Sequence, residues 1–311
     1  MYKKILDTIR QFDTIIISRH SRPDLDALGS QLGLKQLLID NFPEKIIYAV
    51  GDMAKPCFLG QMDEIDEIVY ENALLIFTDV SVQNMIAPIP YLKAKKVLCI
   101  DHHKNECNLE NADAYYDRSA AAAAQIVAKF AFENNLKVSH NTATCLYAGI
   151  ISDTNRFNFS LTKDLFDTVG KLIDTGFDYS YIYNTMYTDK IKNVKMRAYF
   201  TSKFEVSDNG VAYLINDASI FDIFNVDFFS ISRGMVNVMA NLDGVKIWCN
   251  FTEDPQTHKV TCEFRSKSII ILPVAIKYGG GGHNNACGAT VEGLHIVPSI
   301  LKDMEELAKE N

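Results

Sequence analysis

Residues 14–30 read TIIISRHSRPDLDALGS, and this stretch decides the fold. Thr14–Ser18 is a short β-rich run, and from Leu25 to about residue 39 apolar residues recur at helical spacing, at Leu28, Leu32, Leu37 and Leu38. A strand passing through a polar loop into a helix is the opening of a βα unit. Pro23 stiffens the turn, and Gly29 lets the helix pack close. In an open α/β sheet, ligands bind at the carboxyl ends of the strands. The loop there carries His20, Asp24 and Asp26, all hard or borderline metal ligands. The alternative is a Pro-Asp turn whose aspartates only cap the following helix.

Further short apolar runs occupy residues 45–50, 74–78 and 96–100, and their near-continuous hydrophobicity predicts strands buried on both faces. Helical patterns follow at 120–132, 142–151 and 163–175, the last closed by Gly176. The expected architecture is α/β, with a parallel doubly wound N-terminal sheet domain over 1–180. A tyrosine- and lysine-rich helical connector spans 181–204. A smaller α+β domain, 205–311, holds hairpin-like strands around Asp208-Asn209-Gly210 and Asp254-Pro255.

Of 311 residues, 48% are hydrophobic and 23% charged, as in an ordinary globular protein. With 31 Lys+Arg against 39 Asp+Glu, the formal charge is −8. That balance excludes a global nucleic-acid coat, which needs a basic groove; a local basic pocket and divalent cations are both compatible with it. Asp7 and Asp13 interrupt any signal-peptide core, and no stretch reaches the roughly 18 apolar residues of a membrane span. Seven scattered cysteines without a CxxC pair read as reduced thiols, so a cytoplasmic protein is expected.

Two more predicted strands end in acids. Residues 74–78 run into Asp79, and residues 96–100 into Asp101-His102-His103. Ile150-Ile151-Ser152-Asp153-Thr154-Asn155-Arg156-Phe157 adds Asp153 after an apolar helix. Packing does not explain acids and histidines delivered to one sheet edge. Two divalent ions about 3.5–4 Å apart would, and oxygen ligands with few imidazoles favour manganese or magnesium. Finally, Tyr278-Gly279-Gly280-Gly281-Gly282-His283 exposes backbone N–H groups to an anion. Arg265-Ser266, after a strand, is a second candidate phosphate grip; a flexible linker and a solvated edge arginine are the plainer alternatives.

These residues resemble the four motifs of the DHH phosphoesterases, and the glycine run with Arg265-Ser266 resembles the DHH-associated C-terminal domain. The two-domain layout is similar to the nanoRNase/pAp-phosphatase branch. That resemblance implies hydrolysis of very short RNA, of 3′-phosphoadenosine 5′-phosphate (pAp), or of both. It implies two Mn²⁺ ions, with Mg²⁺ or Co²⁺ as substitutes, and a bridging water as nucleophile. His20, Asp24 and Asp79 would hold one ion; Asp26, Asp79, His102 and Asp153 the other. Asp101 would orient the histidines, and His103 would face the scissile phosphate as donor or acid. Arg265, Ser266, Gly280, Gly281, Gly282, His283 and Arg156 would bind substrate in a cleft between the domains, with the connector as hinge. No membrane or long duplex is expected as partner; a homodimer is allowed.

The chain departs from the family pattern at Val80-Ser81-Val82, at Met85, at Ala121 to Gln125, and at Asn155, where glycine is usual. None of these is an expected ligand, so they bear on substrate contacts. Competing readings are a RecJ-like single-strand exonuclease, a cyclic- or linear-dinucleotide phosphodiesterase, a pyrophosphatase, and a catalytically silent nucleotide sensor. The exonuclease would want a basic channel with stacking aromatics, the cyclic-dinucleotide enzymes usually carry membrane and sensor segments, and the pyrophosphatase lacks the glycine run. A sensor would not need seven metal-binding groups.

Overall fold

In the computed structural model, which describes residues 1–52 and 57–310, the N-terminal half runs α1 (Tyr2–Arg10), β1 (Thr14–Ser18), α2 (Leu25–Asn41), β2 (Ile46–Ala49), β3 (Leu74–Thr78), β4 (Lys96–Asp101) and β5 (Ala112–Tyr116). There follow α3 (Ala123–Glu133), α4 (His140–Asp153), α5 (Lys163–Ile173) and α6 (Tyr179–Tyr187). The five strands form one parallel sheet in the order β2-β1-β3-β4-β5. The order reverses between β1 and β3, which is where a doubly wound sheet opens a crevice.

The continuous apolar runs have their cause in this packing. Ile15, Ile17, Leu74, Ile76, Leu98 and Ile100 face a core shared with α1 to α5. Their alternates, Ile16, Leu75, Phe77, Val97 and Cys99, pack with Tyr70 and Tyr91 on the other side. That second face is covered by short 3₁₀ helices, Glu67–Asn72 and Tyr91–Lys93, where a doubly wound sheet usually has full α-helices. Small residues bring the helices close: a Cβ on Gly29 of α2 would lie 2.5 Å from the Cys145 carbonyl oxygen of α4.

The rest of the chain contains α7 (Ile191–Thr201), β6 (Glu205–Val206), β7 (Val211–Asn216), α8 (Ile220–Ile223), α9 (Phe228–Ser232), β8 (Ile247–Glu253), β9 (Val260–Ser266), α10 (Leu272–Lys277), β10 (Gly281–His283), β11 (Ala286–Val291) and α11 (Val297–Glu310). Its sheet has the order β10-β11-β9-β8-β7-β6. All neighbours are antiparallel except β7 and β8, which are parallel, so the expected run of hairpins is broken by the crossover through α8 and α9.

Contacts divide the chain into Met1–Thr188 and Asp189–Asn311. The stretch read as a connector is shared between these units. Ile182 of α6 sits in the first core, and Met196 and Phe200 of α7 sit in a core of the second. Among the described residues no helix is long and apolar enough to cross a membrane.

Candidate active site

The carboxyl ends of β1, β3 and β4 deliver the polar residues of the first unit. Just past β1, His20 Nδ1 donates to the Ser21 carbonyl at 2.8 Å, which sets the ring orientation and turns Nε2 toward the carboxylates. Behind it, the fully buried Arg19 donates to the His20 carbonyl and to Asp52, both at 3.1 Å, and Asp52 accepts from Arg22 N. Asp24 is the N-cap of α2, one oxygen accepting from the Asp26 and Ala27 amides at 3.0 Å. The capping alternative is therefore real, and it coexists with a place 3.8 Å from His20 Nε2.

Asp79, directly after β3, has the left-handed φ of 59° and is held there by its amide donating to the Ile100 carbonyl. Its two oxygens face different histidines: Oδ2 lies 3.5 Å from His20 Nε2, and Oδ1 lies 3.4 Å from His102 Nε2. His102 Nε2 is also 3.8 Å from Asp26 Oδ2 and 3.5 Å from Asp153 Oδ2, the latter at the last residue of α4. Asp26 is fully buried and accepts from the Ala123 and Ala124 amides at 2.7 and 2.9 Å. Those amides open α3, so the departure from a hydroxyl-rich segment leaves Asp26 supported by backbone.

Three groups of ligand atoms thus converge: His20 with Asp24 and Asp79, Asp26 with His102 and Asp153, and Asp79 with His102 and His103. Asp79 Oδ1 and His102 Nε2 are buried without a hydrogen-bond partner. Orphaned polar atoms in such company are what a bound cation satisfies, and the oxygen-plus-imidazole set fits a divalent ion. The electrostatics agree. Burial, with Asp79 and Asp153 alongside, pushes Asp26 well above the carboxylate range. Burial and Asp79 push Asp153 up to about 6. Hydrogen bonding to Asp24 and Asp79 pushes His20 up to about 10. Burial opposes charging of His102, but Asp79, Asp26 and Asp153 outweigh it and raise it to about 9. Asp24, hydrogen-bonded to His20, is instead held below its ordinary value, so the upward shifts of Asp26, Asp153 and His102 mark the half of the cluster that is short of positive charge.

Asp101 ends β4, and its Oδ1 accepts from His103 Nδ1 at 2.8 Å and from both histidine amides. It orients His103 more than His102, and the hydrogen bond raises the pKa of His103. His103, half exposed, lines a 260 Å³ cavity with His20, Asp24, Asp79 and Asp153. The departures Val80-Ser81-Val82 and Met85 form its other wall. Asn155 at φ 45° opens a left-handed turn with Arg156 and Phe157, a conformation asparagine tolerates nearly as glycine does. Arg156 stacks over the Tyr187 ring, 4.9 Å from its centroid, and is not among the residues lining this cavity.

In the second unit, Gly279 to Gly282, His283 and Arg265 line a separate 670 Å³ concavity. Glu263 stands in its wall and binds two arginines, Arg265 through Oε2 and Arg233 through Oε1, each at 3.0 Å. Ser266, the other candidate phosphate grip, has its hydroxyl donating to the Ile269 carbonyl and accepting from Asn285. Neither Arg233 nor Glu263 was marked by a motif, and nor was the Arg19-Asp52 pair; what signals them is position, 30 residues apart or behind the loop that carries His20 and Asp24.

The sequence matches the DHH family, N-terminal domain, over residues 14–150 and the DHHA1 domain over residues 228–310. It is 36% identical over 99% of both chains to a probable bifunctional oligoribonuclease and PAP phosphatase NrnA of Streptococcus mutans. The chain belongs to the DHH family. This DHH phosphoesterase is also 34% identical, over the whole of both chains, to the bifunctional oligoribonuclease and PAP phosphatase NrnA of Bacillus subtilis. Its fold is shared with an exopolyphosphatase-related protein of Bacteroides fragilis, with a TM-score of 0.74, 22% identity, and coverage of 99% of this chain and 97% of that one. As a member of the DHH phosphoesterases it is a metal-dependent hydrolase.

Proposed function

We propose that this enzyme hydrolyses very short oligoribonucleotides and pAp with two divalent cations, Mn²⁺ foremost, in the cytoplasm. The observation that carries the reading is Asp79, whose two oxygens each face a different histidine and so belong to both halves of one cluster. His20 and Asp24 would complete one half; Asp26, His102 and Asp153 the other. Bound there, divalent ions would supply Lewis acidity toward the phosphoryl oxygens and an activated water. His103, with Nδ1 committed to Asp101, keeps Nε2 to hand a proton to the leaving oxygen. The Arg265 guanidinium, His283 and the glycine amides take the terminal phosphate, and the names of the relatives supply the substrate class. The free thiols suit a reducing compartment.

Mn²⁺-loaded protein is tested on an RNA dinucleotide, an RNA 5-mer, a 24-mer single-stranded DNA, pAp and pyrophosphate. Fast turnover of the shortest RNA and of pAp is expected. Asp79→Ala should fall to the background rate, His103→Ala roughly 10²- to 10⁴-fold, and His283→Ala should mainly raise KM. Near-full activity of Asp79→Ala, or preference for the 24-mer, refutes the proposal.

A further inference from the structure

The second unit has an aromatic feature beside its concavity that the phosphate reading leaves unused. Phe229 of α9 is 63% exposed. Its ring is nonetheless fixed: Phe228 meets it edge-on at 6.0 Å, and Phe228 in turn stacks on Phe221 at 5.9 Å. The Arg233 guanidinium lies over the ring, 5.7 Å from its centroid. Arg233 also lines the 670 Å³ concavity, where its Nε is bound to Glu263 Oε1. The other oxygen of Glu263 holds Arg265. Ring, Arg233, Glu263 and Arg265 are therefore one chain of contacts, running from an exposed aromatic face to the arginine beside the glycine run.

We infer that Phe229 is a stacking platform for the nucleobase of the substrate nucleotide whose phosphate occupies the glycine-run concavity, and that Arg233 holds the platform in place. The inference rests on the proposed function and names the part of the substrate it leaves unassigned. Charge chooses the occupant. Two arginines share one carboxylate here, leaving a net positive island on a chain of charge −8. An aromatic ligand that also carries an anion fits that pairing, which an apolar protein partner does not. A π-face accepts every base, so the platform gives a preference for nucleotides over sugar phosphates without reading sequence.

The test is binding by the full-length, Mn²⁺-loaded protein of two probes that differ only in the base, AMP and ribose 5-phosphate, measured by calorimetry. The wild-type protein should bind AMP about tenfold or more tighter, the size expected of one stacked base. Phe229→Ala should abolish that difference while leaving ribose 5-phosphate binding and the melting temperature unchanged, and Phe229→Tyr should restore it. Retention of the preference by Phe229→Ala overturns the platform, as does equal binding of the two probes by the wild-type protein. Turnover of the RNA dinucleotide, followed in parallel, separates the failures. Turnover without base preference removes the platform alone, whereas no turnover and no binding removes the proposed function and the platform with it.

Discussion

Gly280 and Gly281 are neighbours in the same run, yet the fold asks different things of them. A Cβ on Gly280 would sit 2.0 Å from the Gly288 carbonyl oxygen and 2.7 Å from Ala289, whereas one on Gly281 would meet nothing within 4 Å. Gly280→Ala should therefore keep β10 from closing on β11 and cost about 1–3 kcal/mol in thermal unfolding of the second unit. Gly281→Ala should melt like the wild-type protein and raise KM for an RNA dinucleotide, since its methyl group projects only into space a phosphate would use. A Gly280→Ala protein as stable as its parent would show that the close approach is not needed. The sequence marked both residues because four glycines in a row are visible, but it could not distinguish them: that depends on which one crosses β11. His20, Asp24, Asp79 and the Asp-His-His run were readable for a different reason, each following a strand or opening a helix at a countable distance. Arg233 and Glu263 gave no such cue, because their meeting depends on the crossover between β7 and β8.

At the level of elements, the support for Asp26 comes from three helices. The residue lies in the first turn of α2, receives two amides from the start of α3, and has Gly149 of α4 against it. A Cβ at Gly149 would come within 2.7 Å of the Ala124 Cβ and 2.9 Å of Asp26 Oδ1. Gly149→Ala should push α4 away, lowering stability by about 1–3 kcal/mol and weakening Mn²⁺ binding by about tenfold or more, read by calorimetric titration. Unchanged Mn²⁺ affinity would mean that helix spacing does not set the ligand geometry. The alanine run was read as helix from residue 120, three residues early. Ala122 is extended (φ −159°) and Gln125 Oε1 takes the Ala121 amide, a local cap that composition does not reveal. β5, reading ADAYY, was not picked out because it is an edge strand with no fully buried position, without the apolar run that betrays a central strand. α1 was read only for what its Asp7 excludes.

On the scale of the whole molecule, charge and topology were legible before geometry. The acidic balance, the absence of a CxxC pair and the βα alternation pointed to a metal-using α/β protein with a second α+β unit, because composition and period survive without coordinates. The division at Thr188 was not legible in the same way. The tyrosine- and lysine-rich stretch has one amphipathic pattern throughout, and only packing assigns α6 to one core and α7 to the other. One residue connects the site to the endurance of the protein. Asp79 holds a left-handed backbone, and its carboxylate stands among other acids. Such a conformation costs roughly 1–3 kcal/mol in a non-glycine residue. Asp79→Gly should relieve that cost and raise the metal-free melting temperature of the first unit by about 2–4 °C for each kcal/mol relieved, by calorimetric scan, while destroying activity; a lower melting temperature would count against strain at this position. Cations bound to the folded chain alone would repay the cost by mass action. A cell short of the ion would then lose more than catalysis: the unloaded chain would spend longer unfolded, proteases would find it sooner, and the abundance of the enzyme would follow its metal supply.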